Sequence, residues 1–301
     1  MSKNPLFSIT CVLALLLAVP ACETLNQAVD AATQVAVATG QMTPAQANLI
    51  TKVGKILDDM TPEQEYYLGR TVTATLLDGR KVLNNQTLTT YVNELGQTLA
   101  VFSERPNTFK GYHFLVLDSD EVNAFAAPGG FIMITRGMLS LCENEAELAA
   151  VLAHEIAHVE LEHGIQAINK DKIRQAVGAG AKVAIESQAD AELNSLVTAL
   201  GGSVNDITRT LVQNGYAPKQ EYHADESAIN ILSRAGYSPH ALVNVLEKMH
   251  AKLGHHPGGF SKTHPPAEDR IKELKADLPE GDAVATAQGT ARFKKNTTGV
   301  L

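Results

Sequence analysis

Residues 154–164 read HEIAHVELEHG, and no other stretch restricts the fold as strongly. His154 and His158 are four residues apart, so on a helix they share one face. Glu155 is turned to the side of that face. Two imidazoles aimed at one ion, beside a carboxylate that reaches a water without ligating the ion, is what a catalytic zinc site requires. The flanks are apolar: Leu148, Ala149, Val151 and Leu152 precede the pair, and Ile156 and Ala157 lie inside it. A helix that buries itself with two histidines and a glutamate must supply partners for them. A helix with surface histidines would leave the apolar flanks unexplained.

Such a site needs a third protein ligand. The extended pattern H-E-x-x-H-x-x-G-x-x-H is not met, because Leu161 stands at its glycine and Gly164 at its last histidine. His163 lies about 140° around a continued helix from His158 and is expected to face away. The segment KQEYHADESAINIL is the better source. Glu221 and Asp225 are again four apart on one helical face. Glu221 is expected to complete a two-His, one-Glu site, and Asp225 to accept the outer N–H of a ligand histidine. His223 is the alternative ligand in this stretch.

The pattern along the chain is mainly helical with a little sheet. Thr61 and Pro62 open a helix with Glu63 and Glu65 in its first turn. A second helix is expected over 84–98, with Leu88, Tyr91, Val92 and Leu95 on one face. Tyr112–Leu117 and Phe131–Thr135 read as strands, the second preceded by the turn signal Ala127-Pro128-Gly129-Gly130. The HEIAH helix begins near Glu145 and ends near Gly164 or continues past it. Further helices are expected over 220–235, 239–253 and 266–278, and no internal repeat is present. Residues 165–215 read as two helices broken by Gly178, Gly180 and Gly201-Gly202, and are a candidate lid.

Before all this comes MSKNPLFSITCVLALLLAVPACETLN. Ile9 to Val19 is apolar, too short to span a bilayer comfortably and suited to a signal-peptide core. Val19-Pro20-Ala21-Cys22 resembles a bacterial lipoprotein cleavage site, from which Pro20 is the departure. The expectation is a signal peptide over 1–21, lipidation at Cys22 and a tether over 22–58; an ordinary signal peptide is the alternative. Glu23, rather than Asp, favours the outer membrane by resemblance to lipoprotein sorting. Cys142 would then be the remaining thiol, read as a small core residue. The domain that carries the metal site is expected over 59–278, and 279–301 as a loosely ordered polar tail. A formal net charge of -8 and the lack of a Lys/Arg run argue against nucleic acid as a partner.

Four motifs now stand in order: NAFAAPGGFIMITRG (123–137), HEIAH, the E-x-x-x-D of Glu221 and Asp225, and THPPAEDRI (263–271). Together they resemble the CAAX prenyl protease and HtpX-like zinc metallopeptidases, and are most similar to the periplasmic lipoprotein members of envelope quality control. The resemblance implies an α+β, mainly helical, gluzincin-type domain with a small sheet beside the HExxH helix. It implies one Zn2+ per chain held by His154, His158 and Glu221, with Glu155 as general base. His264 of THPP is expected to reach the cleft, either to stabilise the oxyanion or to occupy the open metal position. Arg270 is expected to anchor that loop. The strand Phe131, Ile132, Met133, Ile134 is expected to offer an edge to a peptide substrate. The implied function is an endopeptidase acting on unfolded or misassembled envelope proteins. Its competitor is a non-proteolytic, chaperone-like lipoprotein with an occluded zinc site, which would not need Glu155.

Overall fold

The computed structural model describes residues 34–35, 37–40, 43–44, 47–48, 60–168, 201–202, 204–253, 264, 267–278 and 285–300. The expected signal peptide, Cys22, most of the tether and most of the candidate lid lie outside the described residues. The chain divides into two units, one of 1–61 with 169–203, the other of 62–168 with 204–301. In the first, the described residues are mostly helical, as in Val35, whose carbonyl accepts from Thr39. The second carries the site.

It opens with α1 (Pro62–Leu77) and α2 (Gln86–Ala100). Asn85 caps α2 by accepting the Leu88 N–H at 3.0 Å. Strands β1 (His113–Leu117), β2 (Ala124–Ala127) and β3 (Phe131–Thr135) follow. A short helix α3 (Arg136–Leu139) leads into α4 (Glu145–Glu160), the helix of the HEIAH motif. One helical turn, α5 (His163–Gln166), comes next. After the undescribed segment, helical residues 204–209 enter a π turn, Thr210–Asn214. Then come α6 (Pro218–Arg234), α7 (His240–Leu253), α8 (Ala267–Asp277) and α9 (Ala287–Thr297).

Every residue of α4 from Glu145 to Val159 is buried. That is why it is apolar on all sides and rich in alanine: neighbours approach from every direction. It packs on α2, α6, α7, α9 and β2. Two of its buried acids, near its N-terminal end, are paired. Glu147 takes Lys248 Nζ at 2.8 Å. Glu145 takes Tyr91 Oη at 3.1 Å, Tyr237 Oη at 2.9 Å and the Arg292 guanidinium, with Nε at 2.8 Å. Cys142 is a buried free thiol in the core, as expected of a small core residue.

The sheet differs from expectation. Its order is β1-β3-β2, with β1 parallel and β2 antiparallel to β3. Phe131–Ile134 therefore form the central strand and not an edge. Two neighbours were hard to foresee together: HFLVL pairs on one side, and the alanine-rich AFAA, a weak strand former, folds back on the other through the turn Pro128–Gly130. On the β2 side the sheet ends at β2. Thr135 N–H donates to Asn123 O at 3.1 Å, so by antiparallel alternation Ala124 and Ala126 point their backbone groups away from β3.

The turn that joins β2 to β3 is held from α1. Glu65 Oε1 accepts the Gly129 N–H at 2.8 Å and pairs with Arg105. Gly69 lets α1 approach closely: a Cβ there would lie 1.8 Å from the Pro128 carbonyl oxygen.

The C-terminal segment corrects the expectation of a loosely ordered tail. Residues 287–297 form α9, capped by Thr286 through the Gly289 N–H at 3.0 Å. Phe293 is buried in the core, and Arg292 closes on Glu145 at the start of α4. The polar composition hid a helix with a single apolar anchor.

Candidate metal centre

Three helices converge on one buried point. From α4 come His154, Glu155 and His158; from α6, Glu221 and Asp225; from α8 and the residue stretch before it, Arg270 and His264. All seven are buried, with Glu221 and Arg270 fully enclosed. His154 Nε2 and His158 Nε2 face each other at 3.1 Å. Glu221 Oε2 lies 3.5 Å from His154 Nε2, and its Oε1 lies 3.4 Å from His158 Nε2. A tetrahedral first-row cation with bonds of about 2.0–2.1 Å separates its ligand atoms by roughly 3.3 Å. The Nε2–Nε2 distance and the approach of one Glu221 oxygen to each ring are all near that length.

Unmet valences point the same way. Glu221 Oε1 and Glu155 Oε1 are buried with no hydrogen-bond partner among the described residues. Leaving carboxylate oxygens so is costly unless a cation or water meets them. His154, His158, Glu221 and His264 together form a group whose donor atoms lie within 4.8 Å of one another.

The outer contacts fix the inner ones. Asp225 Oδ1 stands 3.0 Å from His154 Nδ1, leaving Nε2 to face the centre. Arg270 is not a surface charge: its Nε donates to Asp225 Oδ2 at 2.7 Å, and its Nη1 lies 3.4 Å from Glu221 Oε2. His264 Nδ1 donates to Glu221 Oε2 at 2.7 Å, which puts its ring beside the donor group.

His163 overturns its expectation. Its Nδ1 lies 2.8 Å from His158 Nδ1. Helical spacing failed because α4 stops at Glu160, and Glu162 adopts φ 55°, turning the chain before α5. Burial lowers the His163 pKa to about 4, so the ring is a neutral acceptor for the His158 Nδ1–H. It does for His158 what Asp225 does for His154. Gly164 permits this segment to sit against the β2–β3 turn, since a Cβ there would meet Pro128 Cγ at 3.0 Å. Tyr216 was also missed. Its ring stacks on His158 with centroids 4.3 Å apart and planes 20° apart. His223, the alternative ligand, is exposed and apart from the donor group.

The field of the site favours positive charge at its centre. Burial and the Arg270 charge oppose protonation of His154, yet hydrogen bonds to Asp225 and Glu221 raise it to about 9. Burial lifts Glu155 to about 7, with the His154 charge pulling down and the Glu221 charge pushing up. Burial opposes ionisation of Glu221 too, but the His264 and His158 charges and hydrogen bonds from His154 and His264 hold it well below the carboxylate range. One acid is thus locked as an anion while its neighbour sits poised to exchange a proton.

Comparison with known proteins agrees with this geometry. The profile described as Peptidase family M48 matches residues 86–278. The chain is 31% identical over 219 residues to the beta-barrel assembly-enhancing protease of Escherichia coli, covering 70% of this chain and 43% of the relative. It is 30% identical over 191 residues to the metalloprotease LoiP of Escherichia coli, covering 62% and 68% respectively. It is 30% identical over 164 residues to the mitochondrial metalloendopeptidase OMA1 of Schizosaccharomyces pombe, covering 52% and 44%. The chain thus spans less than half the length of the first of these relatives.

Proposed function

The chain belongs to peptidase family M48, and from that premise we propose that it is a zinc-dependent endopeptidase of the bacterial cell envelope, degrading misfolded or misassembled periplasmic and outer-membrane proteins. The observation that carries the reading is the donor triangle of His154, His158 and Glu221 with the unpartnered Glu155 Oε1 beside it. A structural metal site needs the triangle and has no use for Glu155. Two imidazole nitrogens and one carboxylate favour zinc among first-row cations.

Zinc, when bound, polarises the scissile carbonyl and acidifies water. Everything else falls to the chain. Glu155 accepts the proton of the attacking water and delivers it to the leaving amine. Asp225 and His163 hold the two ligand imidazoles in the tautomers that leave both Nε2 atoms facing inward. Arg270 keeps Asp225 ionised and in place. His264, bonded to Glu221, is better placed to complete the donor group in the resting enzyme than to support an oxyanion. A peptide adds to the outer edge of β2, where Ala126 offers main-chain partners independent of sequence; the Ala124 N–H is already bonded to Asn123 Oδ1. Cys22 carries the lipid that anchors the protein to the outer membrane.

The test is metal dependence. Protein purified with zinc should hold one zinc per chain and cleave casein. Chelation should stop cleavage, and added zinc should restore it. Cleavage that persists after the metal is stripped would contradict the proposal.

A further inference from the structure

We propose that the Tyr216 hydroxyl is the hydrogen-bond donor that stabilises the oxyanion of the tetrahedral intermediate. The inference rests on the peptidase reading above and assigns a role that Asp225, Arg270, His163 and His264 are not placed to fill. Each of those four has a bond that fixes it to the donor group: Asp225 to His154, Arg270 to Asp225, His163 to His158 and His264 to Glu221. Tyr216 does not.

Its ring lies flat on the imidazole of His158, and the residue is only 8% exposed. Its hydroxyl is buried with no hydrogen-bond partner among the described residues. A buried tyrosine oxygen normally finds a partner, and one without a partner carries a desolvation cost that phenylalanine would avoid. The same neighbourhood holds the two other unpartnered oxygens, Glu155 Oε1 and Glu221 Oε1. The Tyr216 ring lies 4.3 Å from that of His158, and Glu221 Oε1 lies 3.4 Å from His158 Nε2, so a phenol and a metal-ligand carboxylate flank the same imidazole.

The backbone delivers the ring deliberately. The π turn Thr210–Asn214 ends where Gly215 N–H bonds Thr210 O at 2.9 Å, and Gly215 adopts φ 72°. Ala217 is extended and Pro218 begins α6. Tyr216 is therefore pinned between a π turn, a feature enriched at functional sites, and the helix that carries Glu221.

In the reaction, water oxygen bonds to the carbonyl carbon as the C=O π pair moves onto the carbonyl oxygen. Glu155 takes the water proton and passes it to the amide nitrogen as the C–N bond breaks. Tyr216 O–H donates a hydrogen bond to the carbonyl oxygen as its charge grows and keeps its own proton throughout.

The test is Tyr216→Phe in the full, zinc-loaded chain. Zinc affinity is read by chelator competition, and affinity for a phosphinic pseudopeptide, a tetrahedral mimic, by calorimetry. Substrate-peptide affinity is read in the Glu155→Gln background, where nothing turns over. We expect zinc and substrate affinities within about twofold of the parent, while kcat/KM and phosphinate affinity fall together by about 100-fold. Tyr216→Leu, which also removes the stack, should add a loss of zinc affinity. Unchanged phosphinate binding in the Phe variant overturns the proposal. So does a parallel fall in zinc affinity, which would make Tyr216 a support for His158. A parent chain that holds zinc yet neither cleaves casein nor binds the phosphinate would instead sink the peptidase reading, and this proposal with it.

Discussion

At the scale of the residue, the site is a layered arrangement in which each inner group is fixed by an outer one. His163 is the clearest case. With its Nδ1 at 2.8 Å from His158 Nδ1, it sets which nitrogen of that ligand faces the centre. Replacing such an outer partner costs about 10–100-fold in metal affinity, so His163→Ala should weaken zinc binding by that factor in chelator competition, with the fold intact. An unchanged affinity would mean that His158 needs no partner. His264→Ala should alter metal affinity, peptidase rate or both, since His264 is bonded to Glu221 inside the donor group. No change in either would remove it from the active site. The inner residues were legible in the sequence because i, i+4 spacing on a helix survives folding: His154 with His158, Glu221 with Asp225. His163 and Tyr216 were not. One follows a left-handed residue at Glu162, and the other a π turn and Gly215. Both break the periodicity from which faces are read.

Among the elements, α4 dominates, because it is buried from Glu145 to Val159 and every neighbour is shaped to it. Its N-terminal end is tied to α9 through Glu145 and Arg292. Burial works against the Glu145 carboxylate, but hydrogen bonds from Arg292 and Tyr237 outweigh it and hold its pKa below the usual glutamate value. A depressed folded pKa contributes stability that is present above the unfolded value and is lost as pH falls through the folded one. Hydrogen-exchange protection factors in residues 287–297, corrected for the intrinsic rate, should therefore fall as pH drops below the ordinary glutamate range, and Glu145→Gln should remove that pH response. A response that survives the substitution would place its origin elsewhere. Gly69 sets the contact between α1 and the β2–β3 turn. Gly69→Ala forces a Cβ toward the Pro128 oxygen, at 1.8 Å without relaxation, and should destabilise the protein by about 1–3 kcal/mol in urea unfolding. Helices with apolar stripes and turn signals could be read from sequence to within a few residues. Sheet order could not, because strand composition does not say which neighbours a strand acquires. AFAA became a strand through the hairpin, and FIMIT thereby became central. The last helix escaped because its burial rests on Phe293 and the partners of Arg292 rather than on a stripe.

Across the molecule, residues far apart in sequence are joined at one centre: α4, α6 and His264, ahead of α8, contribute donors separated by up to 110 positions from His154 to His264. A cation held by all three would bind the folded chain and not the unfolded one, so metal removal should lower the thermal midpoint and zinc should restore it. The coincidence of that centre with an unligated, buried Glu155 is what separates a peptidase from a metal-stapled binding protein. The most direct measurement is casein cleavage by the zinc-loaded protein and by its Glu155→Gln variant, with zinc content determined for both. The account predicts one zinc per chain in each, cleavage by the parent, and a loss of about 100-fold or more in the variant. Equal cleavage by the two would contradict it.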